Sequence, residues 1–155
     1  MITREDALLV EAHAAGIQRS CDERDAALAA LAALDDPREQ LGAAIDAGLP
    51  DGPDDALMSL LYEFDVLAGN SALHDELVQK LYLRQLATYR GVIAGGRESG
   101  VFTPALDDEQ LAMTMVALED AYGLHIVAGN ALMSVPKAAA AMRAVADKLG
   151  CPTTA

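Results

Sequence analysis

Few side chains in this sequence have the type and spacing that chemistry demands. The three histidines, His13, His74 and His125, stand apart from one another, and none falls in a triad signature. Covalent catalysis needs a nucleophile beside a base, so this pattern offers no catalytic residue. The Gly-x-Ser-x-Gly elbow, the phosphate-cradling Gly-x-x-x-x-Gly-Lys loop, the dinucleotide fingerprint and His-Glu-x-x-His are all absent. So is the Glu-x-x-His pairing that di-metal helical bundles place on two helices. Cys21 and Cys151 lie far apart and make neither a metal nor a redox spacing. They allow at most one disulfide, which fits a reducing, cytoplasmic setting. No metal and no cofactor are expected.

What remains are groups suited to binding. Glu63 and Asp65, and likewise Glu119 and Asp120, fall within apolar helical stretches. A buried carboxylate must be paired or hydrogen-bonded. Either these four lie at exposed edges or pair with Arg84, Arg90 or Arg97, or one of them faces a cavity and holds a cationic or hydroxylated ligand. Tyr62, Tyr82, Tyr89 and Tyr122 fall on inner helical faces, as core residues or as cavity lining. Met58, Met113, Met115 and Met133 can fill gaps or form an adaptable wall. His125, between Gly123 and Gly129, suits a packed or interface position better than a metal site.

The elements that would position these groups are helices. The 155 residues are 52% hydrophobic yet only 4% aromatic, with no Trp. Breakers cut the chain into pieces of helical length. The first runs from Thr3 to about Asp35, with Leu8, Ala12, Ala15 and Arg19 on one stripe and Leu28, Leu31 and Leu34 at its end. The polar patch Ser20 to Asp25 within it reads as a solvated face or a bend. Asp36-Pro37 starts a short second helix closed by Gly48. Leu49-Pro50-Asp51-Gly52-Pro53 is a loop. A third helix, capped by Asp54 or Asp55, runs toward Gly69-Asn70, with Leu57, Leu60, Leu61, Phe64 and Leu67 on one face and Met58, Tyr62 and Val66 on another. Ser71 opens a fourth, with Leu73, Leu77, Leu81, Tyr82, Leu86, Tyr89 and Ile93 inward, ending at Gly95-Gly96 or Gly100. Asp107 with Gln110 forms a capping-box-like start for a fifth helix, carrying Leu111, Met115, Leu118 and Tyr122 and stopping near Gly129-Asn130. The sixth spans Val135 to Leu149. No period-2 strand pattern occurs, so the fold is all-α, one domain over 1–150 with a tail over 151–155.

The small residues Gly123, Ala128, Gly129 and Ala131, followed by the alanines of the sixth helix, read either as plain helix formers or as a close helix–helix interface. The net charge of −13 excludes a domain that grips nucleic-acid phosphates by itself. The stretch free of charged side chains from Ala121 to Pro136 is too short to cross a membrane.

The order of these segments resembles the C-terminal regulatory domain of TetR-family transcriptional regulators. Val92-Ile93-Ala94-Gly95-Gly96-Arg97-Glu98-Ser99-Gly100-Val101-Phe102 looks like the family's helix end, an apolar pair before Gly-x-x-x-Gly-x-Phe. Ala117 to His125 is similar to the acidic-Gly-Leu-His segment of its next-to-last helix, and Asp36 to Leu41 to its restart after the first regulatory helix. The choline-responsive repressors are the subgroup it resembles most. Ile2 to Leu9 looks like the junction after the basic helix-turn-helix head, so the resemblance implies DNA contact only through a head this chain does not carry.

It also implies a small apolar or cationic effector in a cavity lined from helices three to five. Met58, Tyr62, Tyr89, Met115 and Tyr122 are the expected lining. A homodimer would form a four-helix bundle from the last two helices, through Gly123, Val127, Ala138, Ala139, Met142 and Val145. A ligand-sensing, dimerising regulator domain is therefore the leading expectation. A free-standing module that dimerises with or sequesters a full-length regulator is the alternative, and an enzyme with an unrecognised acid–base pair is the least supported.

Overall fold

The computed structural model describes residues 4–65 and 72–154, apart from the side chains of residues 4–7, 9–10, 63–65 and 73–74. Expectations that fall on the side chains of Glu63, Phe64, Asp65, Val66, Leu67, Ser71, Leu73 and His74 lie outside the described residues.

Six helices and no strand make up this described part: α1 (Arg4–Leu31), α2 (Pro37–Gly48), α3 (Ala56–Asp65), α4 (Ala72–Glu98), α5 (Asp108–Val127) and α6 (Val135–Lys148). The all-α expectation holds, and most boundaries fall where the breakers put them. Asp36 caps α2, its carboxylate accepting from the Arg38 amide at 2.9 Å with Pro37 at the first helical position. Asp107 caps α5 through the Gln110 amide at 2.8 Å, and Ser134 caps α6 through the Lys137 amide. Asp55 accepts from the Met58 amide at 3.0 Å at the start of α3. The polar patch in α1 is not a bend; the helix runs straight through it.

α4 is the central helix and packs on α1, α2 and α5, while α6 closes the far side against α5 and α2. The main core gathers Leu41 and Ile45 of α2, Tyr89 and Ile93 of α4, Met115 of α5 and Met142 of α6, all at most 1% exposed. Burying each such side chain contributes about 1.5–3 kcal/mol. A second, smaller cluster of Ile17, Cys21 and Leu61, with Met58, Leu77, Val78 and Leu81 against it, joins α1, α3 and the first half of α4.

The stripe of Leu8, Ala12, Ala15 and Arg19 on α1 faces outward. Leu8 is 58% exposed, and Ala12, Ala15 and Arg19 are exposed too. The buried face is instead His13, Gly16, Ile17, Ser20 and Cys21. Gly16 matters there because a β-carbon would stand 2.7 Å from Leu60 Cδ2, so its absence lets α3 lie close.

Two glycines fix the ends of the helices. At Gly96 a β-carbon would come within 2.1 Å of the Phe102 ring. The ring occupies that space, and the amides of Val101 and Phe102 both donate to the Gly96 carbonyl at 2.9 Å. Gly150 ends α6 with φ +86°, and its bare α-carbon faces the Thr103 carbonyl. There Thr103 N donates to Gly150 O at 3.0 Å and Ala105 N to Leu149 O at 2.9 Å, strapping the α4–α5 loop to α6.

Replacing Gly150 with Ala therefore combines a left-handed backbone with a 2.0 Å clash against backbone oxygen. We expect a loss of about 2 kcal/mol or more. Gly91→Ala, on an exposed part of α4 where a β-carbon meets nothing within 4 Å, should raise stability by roughly 0.5–1 kcal/mol. Urea denaturation of the two variants checks both signs.

Candidate functional site

Between α1, α3, α4 and α5 lies a cavity of about 80 Å³. Its apolar wall is Ile17 of α1, Met58 and Leu61 of α3, and Val78 and Leu81 of α4. Tyr62 and Tyr82 add aromatic surface, and His13, Ser20, Arg24, Gln85 and Asp120 bring polar atoms. The second core cluster is thus packed around a space that it does not fill.

The cavity's polar floor is a buried network centred on Glu119, which is 1% exposed. Arg24 of α1 forms an ion pair with Glu119 Oε1. Gln85 of α4 donates from Nε2 to the same oxygen at 2.9 Å and to Asp120 Oδ1 at 3.2 Å. Tyr89 of α4 donates its hydroxyl to Glu119 Oε2 at 2.7 Å. Three donors on one carboxylate offset its loss of water. Gly48 of α2 completes the arrangement, since a β-carbon there would stand 1.9 Å from Glu119 Oε2.

Burial pushes the Tyr89 hydroxyl well above its ordinary pKa of 10.0, and the neighbouring Glu119 charge adds to the effect. Arg24 is held above its ordinary value: burial opposes its charge, but attraction and hydrogen bonding to Glu119 outweigh it.

The sequence expectations divide here. Met58 and Tyr62 do line the cavity. Tyr89 lies behind its floor as a donor to Glu119, Met115 is fully buried in the main core, and Tyr122 packs against that core. Their helical faces were inward as expected, but inward is toward the core and not toward the space. α1, left out of the expected lining, supplies His13, Ile17, Ser20 and Arg24, whereas α5 supplies Asp120.

The carboxylate expectations also divide. Glu119 is paired, but with Arg24, not with Arg84, Arg90 or Arg97. Those three pair at the surface with Asp25, Glu109 and Asp108. Asp120 is the one that borders the cavity. The sequence does not single out Arg24, because it lies inside a run of charges, Asp22-Glu23-Arg24-Asp25, that reads as a solvated face or a bend. Only its i+4 step from Ser20, and Ser20's own from Gly16, hint at a shared inner face.

Of the residues expected at a dimer interface, Ala138, Ala139 and Met142 are buried within the chain's own core. Gly123 is covered by Tyr62, whose hydroxyl fills the place a β-carbon would take. Val127 and Val145 are half-buried. The outward face of α5 carries Met113, Ala117, Ala121, Leu124 and Ala128, all exposed and within one helical stripe, with exposed Leu132 just beyond. A shallow depression along α4, beside Glu76, Lys80 and Leu83, belongs to one helix and encloses nothing. No helix among the described residues is long and apolar enough to cross a membrane.

No protein-family model and no curated protein matches this chain. Among solved structures, a protein from Rhodococcus sp. assigned to the TetR family of transcriptional regulators is similar in fold, with a TM-score of 0.73. The two are 17% identical, and the match covers 88% of this chain and 72% of that one. The chain has a TetR-like helical fold.

Removing one partner of the central pair should be costly. Arg24→Met leaves Glu119 charged and buried, with an expected loss of about 3–5 kcal/mol. Arg90→Met, which breaks an exposed pair with Glu109, should leave the melting temperature nearly unchanged. Thermal melts of both variants compare the two directly.

The raised Tyr89 pKa makes a separate statement about alkaline pH. The folded chain keeps the Tyr89 proton after the unfolded chain begins to lose its own near pH 10.0. This contribution to stability is complete below that pH and is lost as pH rises above it. In Tyr89→Phe the decline of stability between about pH 10 and 11 should be shallower than in the unsubstituted chain, as measured by denaturant titration at each pH.

Proposed function

We propose that this chain is the ligand-sensing and dimerising body of a TetR-like transcriptional regulator. The observation that carries this reading is a cavity whose wall is shared by α1, α3, α4 and α5. The likeness in fold to a regulator supports it. A ligand there touches α1 through His13, Ile17, Ser20 and Arg24 and touches α3 and α4 through the apolar wall. Any difference in its affinity for two placements of α1 shifts the balance between them.

At net charge −13 the chain does not itself neutralise phosphates. In this reading DNA is read by a basic head joined ahead of α1, and α1 carries the signal. The cavity is far below the 300–1,000 Å³ of a typical drug-sized site. The effector is accordingly small, with room for roughly half a dozen water-sized groups.

The outward stripe of α5 is where two copies meet in this reading. Exposed Met113 (48%), Leu124 (49%) and Leu132 (78%) are joined by alanines that let helices approach. Ala140 and Ala144 on the outer face of α6 extend the small-residue surface. Light scattering at micromolar concentration should give the mass of a dimer, and Leu124→Glu should give a monomer that keeps its helical circular dichroism. A monomer before substitution overturns the interface. The sensing half is tested by a thermal-shift screen of small metabolites: a stabilising compound should lose its effect when Met58→Trp fills the cavity.

A further inference from the structure

The network at the cavity floor is saturated on one side and open on the other. Glu119 accepts from Arg24, Gln85 and Tyr89, so its carboxylate has little left to offer a ligand. Arg24 spends one Nη2 hydrogen bond on that carboxylate. A guanidinium carries five N–H donors in a fixed fork, and among the described residues no other acceptor takes one from Arg24. Its side chain is 13% exposed and lines the cavity.

Ser20 lies one helical turn before Arg24 on the same face of α1 and also lines the cavity. Its hydroxyl has no hydrogen-bond partner among the described residues. Gln85 uses its amide nitrogen on Glu119 and Asp120, which fixes the orientation of the amide and leaves the carbonyl oxygen as an acceptor beside the cavity. Spare donors on α1 therefore stand across from a spare acceptor on α4.

Charge decides the rest. The Arg24 cation is already matched by Glu119, and Asp120 adds a further carboxylate at the same floor. An anionic ligand would share a guanidinium that is taken and would face two carboxylates. A cationic one would be set against Arg24, and both carboxylates at the floor are engaged, Glu119 by Arg24, Gln85 and Tyr89 and Asp120 by Gln85.

We infer that the cavity takes a small neutral molecule whose polar end carries an acceptor next to a donor, such as a carboxamide, on a short aliphatic body. The acceptor receives N–H groups from Arg24 and the hydroxyl of Ser20, and the donor reaches the Gln85 carbonyl. The aliphatic body lies against Ile17, Met58, Leu61 and Val78. This narrows the expected apolar or cationic effector to an uncharged one, and it rests on the sensor reading above.

Butyramide, butyrate and butylamine share size and shape and differ in charge, so they separate the alternatives. At matched pH and ionic strength, butyramide at about five times its Kd should raise the melting temperature by roughly 2–4 °C. Equal concentrations of butyrate and butylamine should raise it by less than a third as much. Arg24→Lys keeps a cation for Glu119 but removes the fork, and Ser20→Ala removes the hydroxyl. Each should cut the butyramide shift, measured from that variant's own baseline, by at least half. A larger shift with butyrate or butylamine overturns the neutral class and leaves the sensor reading standing. No shift with any of the three, or a butyramide shift that survives Met58→Trp, overturns both.

Discussion

The buried carboxylate of Glu119 is the constraint around which the other helices are arranged. A charge removed from water must be surrounded by donors, and here they come from two different helices. Arg24 brings α1, and Gln85 and Tyr89 bring α4, while Gly48 of α2 stays bare to make room. Each helix is thus held at one position along its axis, which apolar packing alone does not do, since leucines can slide past one another at little cost. Hydrophobic burial brings the bundle together, and the network sets its register.

The same network shapes the cavity. Arg24 from α1 and Gln85 from α4 both bond Glu119 and border the cavity. The apolar side chains N-terminal to them, Ile17 on α1 and Leu81 on α4, then close over a space instead of meeting. Gly123 and Gly16 contribute from either side. One lets the Tyr62 hydroxyl seat against α5, and the other lets Leu60 of α3 approach α1. Polar order at the floor and apolar walls above are therefore two results of one arrangement.

Much of this was legible in the residues, and what was not has definite physical causes. Helix ends were legible because capping is local: Asp36-Pro37, Asp107 with Gln110, and the glycines at 129 and 150 act within one turn of themselves. The six-helix order followed. The Gly96–Phe102 segment stands out in the sequence by its pattern, and the structure supplies the reason, a ring lying on a bare α-carbon. The buried face of α1 was not legible, because alanines dominate its outer stripe and the inner one carries His13, Ser20 and Arg24. Hydrophobic periodicity cannot find a face whose burial is driven by polar partners elsewhere. For the same reason Glu119 was recognised as needing a partner while the partner itself, 95 residues away, was not. Inward-facing Tyr89 and Met115 show a further limit: a helical face tells burial from exposure, but not core from cavity lining.

The division of the core into a large and a small cluster carries a consequence of its own. The large one ties α2, α4, α5 and α6 together, reinforced by the strap at Gly150 and by Arg143 reaching the Gly42 carbonyl and Asp46 of α2. Among the described residues, the small one rests on three buried side chains around an unfilled space. Opening free energy follows the apolar contacts that must be broken, so the cavity end of the bundle parts first while the rest stays shut. A solute can then reach the interior by a partial, low-energy separation of α1 and α3 from α4. The speed of entry and release is governed by how well Ile17, Cys21 and Leu61 hold together, and the strength of binding by the polar floor beneath them.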